Sequence, residues 1–280
     1  SRLGELGWQE GGGPVSADED LARLLRARAP WNARAAADAL RGCFENAWGE
    51  VSCQRGPAPE EAADWRRWLA WARWVEAPPR VILAGPPNAG KSTLFNAWVR
   101  EERVTVSPHP GTTRDGVEAG ILLGEGGQAL EARLIDTAGL WSPARELDRL
   151  TLEVARESLG TADRVLWVFD AAALPDPEAL ALFGDRRVPG LQLLHRTDLG
   201  EAWNPEEIGG GPWLRGSVRE EGRELIARLE EALLGSLGPP PPAGTPLPLG
   251  RRRRGLVEAF LARGNARNGP QGAAGSRGIQ

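Results

Sequence analysis

One nine-residue segment constrains the fold of this chain more than any other feature. Residues 85–93 read Gly-Pro-Pro-Asn-Ala-Gly-Lys-Ser-Thr, the Gly-x4-Gly-Lys-Ser pattern of a phosphate-binding loop. Residues 80–84 have the pattern of a buried strand, and the apolar spacing of residues 94–99 favours a helix. The loop is therefore expected at a helix N-terminus, where the helix dipole and free backbone N–H groups favour anions. A glycine-rich turn without a ligand is the alternative.

The pattern assigns a task to several groups of this loop. Backbone N–H groups cradle phosphate oxygens, the Lys91 ammonium reaches the terminal phosphates, and the Ser92 hydroxyl holds Mg²⁺. The candidate nucleotide-binding residues here are Asn88, Ala89, Gly90, Lys91, Ser92 and Thr93.

Lys91 is the one lysine among 34 basic residues, and the other 33 are arginine. A planar arginine fork does not replace a compact ammonium beside a phosphate chain. The retained lysine therefore indicates a functional requirement.

Composition argues against several classes of protein. The net charge is −4, so bulk electrostatics do not favour a nucleic-acid binder. There is no apolar run of about 18 residues, and no membrane span is expected. Cys43 and Cys53 lack metal-ligand spacing and are interpreted as reduced thiols of a cytoplasmic protein. The first 14 residues do not have the pattern of a signal peptide, and the missing initial methionine is compatible with processing or cropping.

The sequence predicts four segments along the chain. Residues 1–15 are expected to be disordered, and residues 16–77 to be helical. Residues 80–236 are predicted to form an α/β domain. Residues 237–280, rich in proline, arginine and glycine, are predicted to be a flexible tail, in which residues 255–261 can form one helix.

Two patterns outside the α/β domain admit more than one interpretation. Tryptophans recur every three residues at 65, 68, 71 and 74 within a helix predicted over residues 60–76. That spacing drifts around a helix and indicates packing against more than one neighbour, with stacking on bases as the alternative. The cluster Arg251–Arg254 fits either a solvated linker or a contact with RNA phosphates.

Strand and helix patterns alternate through the α/β domain. Residues 117–123 and 129–135 flank a glycine-rich turn and are predicted to form a hairpin. Further strands are predicted at 164–169 and 188–194, and helices at 147–159, 176–183 and 219–234. This alternation predicts a mostly parallel sheet with helices on both faces, and ligands at the carboxyl ends of the strands.

Two further polar segments suit a phosphate site. Asp136-Thr137-Ala138-Gly139 ends a predicted strand 45 residues after Lys91. The Asp136 carboxylate can hold Mg²⁺ through water, and the Gly139 N–H can contact a terminal phosphate. A threonine hydroxyl from the turn at residues 109–115 can complete the Mg²⁺ shell only while the terminal phosphate is present. Simple turn capping is the alternative for these threonines.

Residues 85–93, 111–115 and 136–140 resemble the motifs of the tRNA-modification GTPases (TrmE/MnmE) and, more broadly, of the Era-like translation-factor-class P-loop GTPases. The resemblance covers about residues 60–236. It implies that residues 80–236 are a Ras-like GTPase (G) domain that hydrolyses GTP with Mg²⁺. It also implies that Lys91 holds the β and γ phosphates, that Ser92 and Thr113 ligate Mg²⁺, and that Asp136 supports the metal.

The same resemblance implies how hydrolysis is catalysed. Potassium is an activating ion of this family, held partly by the asparagine that matches Asn88. The family's catalytic glutamate falls on Asp148, so the candidate catalytic residues are Asp148, Lys91 and Thr113. Leu140 stands where Ras-type enzymes carry a water-orienting glutamine, and catalysis by such a glutamine is not expected. A turn-stabilising amide at Asn88 and a surface acid at Asp148 are the alternatives.

The base-recognition motif departs from the family. Its Asn-Lys-x-Asp is here His195-Arg196-Thr197-Asp198. Asp198 can accept hydrogen bonds from the N1 and N2 donors of guanine, Arg196 can stack on the base, and Ser217 matches the final base-contacting loop. We therefore expect a weakened guanine preference.

The predicted function is a cytoplasmic GTP-binding switch that converts GTP to GDP and phosphate. RNA, or a ribosome- or tRNA-associated protein, and a second G domain are the candidate partners. No cysteine follows Cys53, so the family's C-terminal Cys-x-Gly-Lys motif is absent and its wobble-uridine modification is not expected. Two alternatives remain, a nucleotide-binding scaffold with little hydrolysis and a P-loop ATPase or kinase with another base preference.

Overall fold

The structure, a computed structural model, describes residues 30–40, 44, 48, 59–101, 117–125, 129–136, 157, 159–175, 177–184, 188–241 and 245–267. The chain divides into two compact units. One unit combines residues 1–77 with residues 240–280, and the other comprises residues 78–239.

The described helices are distributed over both units. They are α1 (Pro30–Leu40), α2 (Pro59–Glu76), α3 (Lys91–Glu101), α4 (Pro177–Gly184), α5 (Val218–Glu221), α6 (Arg223–Ser236) and α7 (Arg251–Arg267). Short 3₁₀ turns span Thr197–Leu199 and Pro205–Ile208. Among these helices, none combines the length and the apolar character that crossing a bilayer requires.

A six-stranded sheet organises residues 78–239. Its strands are β1 (Arg80–Ala84), β2 (Val117–Leu123), β3 (Leu130–Asp136), β4 (Arg164–Asp170), β5 (Gly190–His195) and β6 (Trp213–Gly216), in the order β2-β3-β1-β4-β5-β6. β2 and β3 form the predicted antiparallel hairpin, and every other pair of neighbours in this sheet is parallel. The predicted fold class, a mostly parallel α/β sheet, is confirmed.

Burial along the central strands explains the order of the sheet. Val81–Ala84 of β1 and Val165–Phe169 of β4 are buried without interruption, as expected of parallel strands covered on both faces. β2 alternates between buried and more exposed residues, which is typical of an edge strand with one covered face. The continuous apolar runs therefore place β1 and β4 at the centre, and the phosphate-binding loop follows β1 directly.

The helix predicted over residues 219–234 is divided in the structure. Gly222 has φ 50° and separates α5 from α6. Its N–H donates to the carbonyl of Val218 at 3.1 Å, so it ends α5 in a left-handed conformation that glycine adopts at least cost. The prediction of one long helix was wrong because the 3.6-residue periodicity did not show this break.

The helical unit has a core of its own, which we call the tryptophan cluster. Its buried members are Phe44, Trp48, Ala62, Trp65, Leu69, Val257, Phe260 and Leu261, with Trp68 packed against them. The Trp65 ring lies 5.6 Å from that of Trp48 and 4.8 Å from that of Trp68. Trp71 and Trp74 are also buried, so the tryptophan series of α2 is packed inside the unit. This arrangement supports packing over base stacking.

The tail predicted to be flexible from residue 237 onward contains the helix α7 over residues 251–267, which is longer than the one considered at residues 255–261. Val257, Phe260 and Leu261 share one face at helical spacing and are buried in the tryptophan cluster. Burying this face offsets the low overall hydrophobicity that suggested disorder. Glu258 of α7 also pairs with Arg73 of α2 at 3.1 Å.

The packing of α7 divides the arginine cluster. Arg253 is buried, with its guanidinium 5.9 Å from the centre of the Phe44 ring. Arg254 forms an ion pair with Glu76, whereas Arg251 and Arg252 are exposed. Arg253 and Arg254 thus serve contacts within the unit, and a patch of four phosphate-binding arginines does not form.

Replacing Phe260 by alanine tests the packing of α7. Phe260→Ala removes a ring that is 4% exposed and lies 5.5 Å from Trp48, so we expect a loss of about 3 kcal/mol in the free energy of unfolding. Glu258→Ala on the same helix removes only an exposed ion pair and should cost less than about 1 kcal/mol. Chemical denaturation and amide exchange of α2 measure both effects, and equal losses would contradict the docking of α7.

Candidate functional site

The backbone of the phosphate-binding loop requires glycine at two positions. Gly85 has φ 137° and Gly90 has φ 89°, a range that side chains rarely adopt. A Cβ atom at Gly85 would lie 2.0 Å from the carbonyl oxygen of Val168 in β4, and one at Gly90 would lie 2.4 Å from Nδ1 of His195. The loop ends at α3, whose first-turn N–H groups lack intrahelical acceptors. It therefore presents donors suited to phosphate oxygens.

Lys91 is almost completely buried, with 4% of its surface exposed. Its Nζ donates to the carbonyl oxygen of Gly85 at 2.9 Å and to that of Pro86 at 2.7 Å. Burial lowers the pKa of Lys91 from 10.5 to about 8, although the charge of Asp136 opposes this effect. The ammonium is thus held against the loop in a space that suits it better than a planar guanidinium.

Two predicted Mg²⁺ ligands belong to elements that meet at this loop. Asp136 ends β3 beside Leu83 of β1, is 5% exposed, and acts electrostatically on Lys91. Ser92 follows Lys91 in the first turn of α3. A carboxylate and a hydroxyl oxygen are hard donors, and they fit Mg²⁺. The predicted residues Thr113, Gly139 and Asp148 lie outside the described residues, as does Leu140.

A cavity of about 270 Å³ adjoins the loop. Its lining residues are Asn88, Gly90, Thr93, His195, Arg196, Asp198, Leu199, Ser217, Val218 and Arg219. Six of them were predicted to bind nucleotide, and they converge here because β5 and β6 pair in parallel and end at the same edge. Ser217 is 1% exposed and its hydroxyl accepts the N–H of Arg219 at 3.2 Å, so its side chain caps α5.

Arg196 connects the cavity wall to β4. Its backbone is left-handed, with φ 63°, and Nη1 donates to Oδ2 of Asp170 at 2.6 Å and to the carbonyl oxygen of Asn88 at 3.3 Å. The guanidinium therefore lies between the end of β4 and the phosphate-binding loop. Asp170 was not among the residues predicted for the site, although an acid at the carboxyl end of a buried strand was a usable signal.

His195 ends β5 and is 2% exposed. Its Nδ1 lies 3.2 Å from the carbonyl oxygen of Ala89, and its Nε2 lies 3.4 Å from the backbone N of Val218. These contacts assign a neutral ring with the proton on Nδ1, because Nε2 must accept from the Val218 N–H. Burial, above all, lowers the pKa of His195 below 6.5. The sequence did not indicate Leu199, Val218 or Arg219, whose part in the cavity depends on how β5 and β6 end.

Comparison with known proteins identifies the unit that holds this site. Residues 80–190 match the model of a family described as 50S ribosome-binding GTPase. This segment is similar to a P-loop GTPase domain, so the resemblance derived from the motifs is confirmed over these residues.

The relatives of the GTPase domain are much longer than the matched region. The tRNA modification GTPase MnmE of Alkalilimnicola ehrlichii is 39% identical over 132 residues, which covers 46% of this chain and 28% of that protein. MnmE of Parasynechococcus marenigrum is 34% identical over 186 residues, which covers 65% of this chain and 39% of that protein. The chain thus spans less than half the length of these relatives.

A solved structure of Era from Aquifex aeolicus bound to GDP and AlF₄⁻ is 25% identical to this chain. The TM-score is 0.43, and the match covers 59% of this chain and 58% of that one.

Two glycines with nearly equal φ angles provide a test of the loop geometry. Gly90→Ala places a Cβ against His195, whereas Gly238 has φ 86° and nothing within 4 Å of its Cβ position. Both variants should lose about 1 kcal/mol of stability through backbone strain. Only Gly90→Ala should weaken the binding of GDP with Mg²⁺, by about tenfold or more in a calorimetric titration. Equal affinities of the two variants would contradict the close contact between Gly90 and His195.

Proposed function

We propose that this protein binds GTP, hydrolyses it to GDP and phosphate, and acts as a switch whose two states differ in the bound nucleotide. The buried Lys91 ammonium, held at the phosphate-binding loop close to Asp136, is the observation that carries this proposal. The two carbonyl contacts fix the ammonium at the loop, and the terminal phosphates of a nucleotide bound there would match its charge.

In this proposal the phosphate end of the site works through a few groups. Lys91 binds the β and γ phosphates, and backbone N–H groups at the start of α3 bind the remaining phosphate oxygens. Ser92 and Asp136 would hold Mg²⁺, with Thr113 as a further ligand when the γ phosphate is present. Bound Mg²⁺ supplies neutralisation of the charge that develops on the phosphate oxygens.

The base end of the site is assigned to the cavity beside the loop. Asp198 accepts hydrogen bonds from guanine N1 and N2, donors that adenine does not present in the same way. Arg196, held by Asp170 and by the Asn88 carbonyl, offers a planar face to the base. The loop that begins at Ser217 closes the other side of the cavity. Guanine preference follows from Asp198.

Hydrolysis is proposed to depend on Asp148 and on a potassium ion. Leu140 cannot orient water, so Asp148 takes that task. Asn88, which is exposed at the loop with φ 62°, offers an amide oxygen to K⁺. A monovalent cation there offsets charge that develops in the transition state.

The partners and location are proposed from the names of related proteins. The family model is described as 50S ribosome-binding GTPase, and the relatives are named tRNA modification GTPases. A ribosome- or tRNA-associated partner in the cytoplasm is therefore the proposed context, with association of two GTPase domains as a further candidate interaction.

Phosphate release is the direct test of this function. With GTP and Mg²⁺, turnover should be slow in sodium and faster in potassium, and ATP should be hydrolysed less well. Asp148→Asn should lower the rate in potassium by roughly 10². Equal rates in both salts together with a fully active Asp148→Asn variant would refute the mechanism, and binding without turnover would indicate a scaffold.

Replacing the single lysine tests the phosphate end of the site. Lys91→Arg should weaken the binding of a non-hydrolysable GTP analogue by about 100-fold or more, because a guanidinium does not fit the bonds to Gly85 and Pro86. The exposed Arg100→Lys, at the end of α3, makes the opposite exchange as a control and should bind normally. Unchanged affinity in Lys91→Arg would show that the buried ammonium is not required.

A further inference from the structure

We propose that His195 is a positioning residue for the nucleotide base, which ties the phosphate-binding loop to the loop after β6 and so sets the distance between the two walls of the cavity. This inference rests on the proposed function of the cavity as a nucleotide site. It gives a role to the imidazole of His195, which stands at the place of the asparagine in the Asn-Lys-x-Asp motif of the GTPase family that the chain resembles.

The backbone of His195, at the carboxyl end of β5, is anchored by strands on both sides. It pairs with Asp170 of β4 on one side and with Gly216 of β6 on the other. Its carbonyl oxygen also accepts the N–H of Ala171 at 2.8 Å. A side chain that starts from such a rigid position can hold mobile loops in place.

The imidazole ring contacts both walls of the cavity. Nδ1–H donates to the Ala89 carbonyl at 3.2 Å, and Nε2 accepts the Val218 N–H at 3.4 Å. The ring also lies directly against Gly90, where an added Cβ would be 2.4 Å from Nδ1. One donor and one acceptor on a rigid ring thus connect Ala89 of the phosphate-binding loop, whose two neighbours in sequence line the cavity, with Val218, which lines the cavity itself.

This connection requires the neutral ring. Protonation turns Nε2 into a donor that faces the Val218 N–H, so the bond to the β6 loop is lost. Arg196 disfavours the imidazolium, whereas Asp170 and Asp198 favour it. The adjoining elements also carry the cations Lys91, after the phosphate-binding loop, and Arg219, in α5.

The expected consequence is a loss of nucleotide affinity in acid. Because burial lowers the pKa of His195, the ring is neutral above its ordinary value of 6.5 and takes up a proton only below that value. Both bonds are then present at neutral pH, and the Val218 bond disappears as the pH falls further. Nucleotide binding should follow the same course.

Three substitutions separate a positioning role from simple packing. His195→Leu removes both bonds and should weaken the binding of GDP with Mg²⁺ by about tenfold at pH 7.5. His195→Asn and His195→Gln keep an amide donor and acceptor that do not titrate, and at least one of them should restore affinity to within about threefold. Wild-type affinity, relative to the restored variant, should stay constant from pH 7.5 to 6.5 and fall as the pH is lowered further, over the range in which the protein remains folded. Dividing the wild-type affinity by that of the restored variant at each pH removes the effect of protonation of the nucleotide, which is the same for both proteins.

The second histidine of the chain, His109, supplies the control. His109→Asn should keep the wild-type pH dependence of nucleotide affinity. Because the chain has two histidines, the imidazole signal that remains in nitrogen NMR spectra of this variant belongs to His195. The remaining signal of nucleotide-free protein should show a neutral ring protonated on Nδ1. This readout does not depend on nucleotide binding.

The outcomes distinguish this inference from the proposed function. Normal affinity in His195→Leu, an equal pH dependence in the amide variants, or a ring protonated on Nε2 would overturn the positioning role while leaving nucleotide binding intact. If the wild-type protein binds no nucleotide at all, the proposed function is wrong and the positioning role is overturned with it.

Discussion

The buried ammonium of Lys91 is the interaction on which the rest of the site depends. It bonds to two carbonyl groups of the loop that precedes it and lies within the electrostatic reach of Asp136. These contacts require β1 and β3 to lie side by side, with the loop bent back at Gly85 over β4. The order of the central strands, the glycine positions and the retained lysine therefore form one structural requirement, the placement of a positive charge at the loop that we propose binds the phosphates of a nucleotide.

The base side of the site shows how altered residues keep two loops connected. His195 replaces an amide of the family pattern, yet its ring still offers a donor toward Ala89 and an acceptor toward Val218. Arg196 replaces a lysine and is held at the cavity wall by Asp170. The residue types of this motif thus differ from those of the family pattern. The strand ends and loops are nevertheless connected, here through the imidazole of His195 and the guanidinium of Arg196.

Local sequence patterns predicted the elements that carry the site. The strand–loop–helix unit over residues 80–101, the β2–β3 hairpin and the position of Asp136 all followed from periodicity and motif spacing. The pairing of Arg196 with Asp170 and the docking of α7 did not, since they join residues far apart in sequence. The break at Gly222 was also missed, because a glycine within a helical pattern does not reveal its φ angle. Tertiary contacts decided these features.

Competition for the site tests the central claim, that this chain carries a guanine-nucleotide site built around Lys91. Displacement of a fluorescent GDP analogue from the wild-type protein, with Mg²⁺ present, can be measured with GTP, GDP, ATP and ADP. A guanine-nucleotide site should let GTP and GDP displace the analogue at concentrations at least about tenfold lower than the adenine nucleotides. Equal displacement by adenine and guanine nucleotides, or no binding of the analogue, would contradict it.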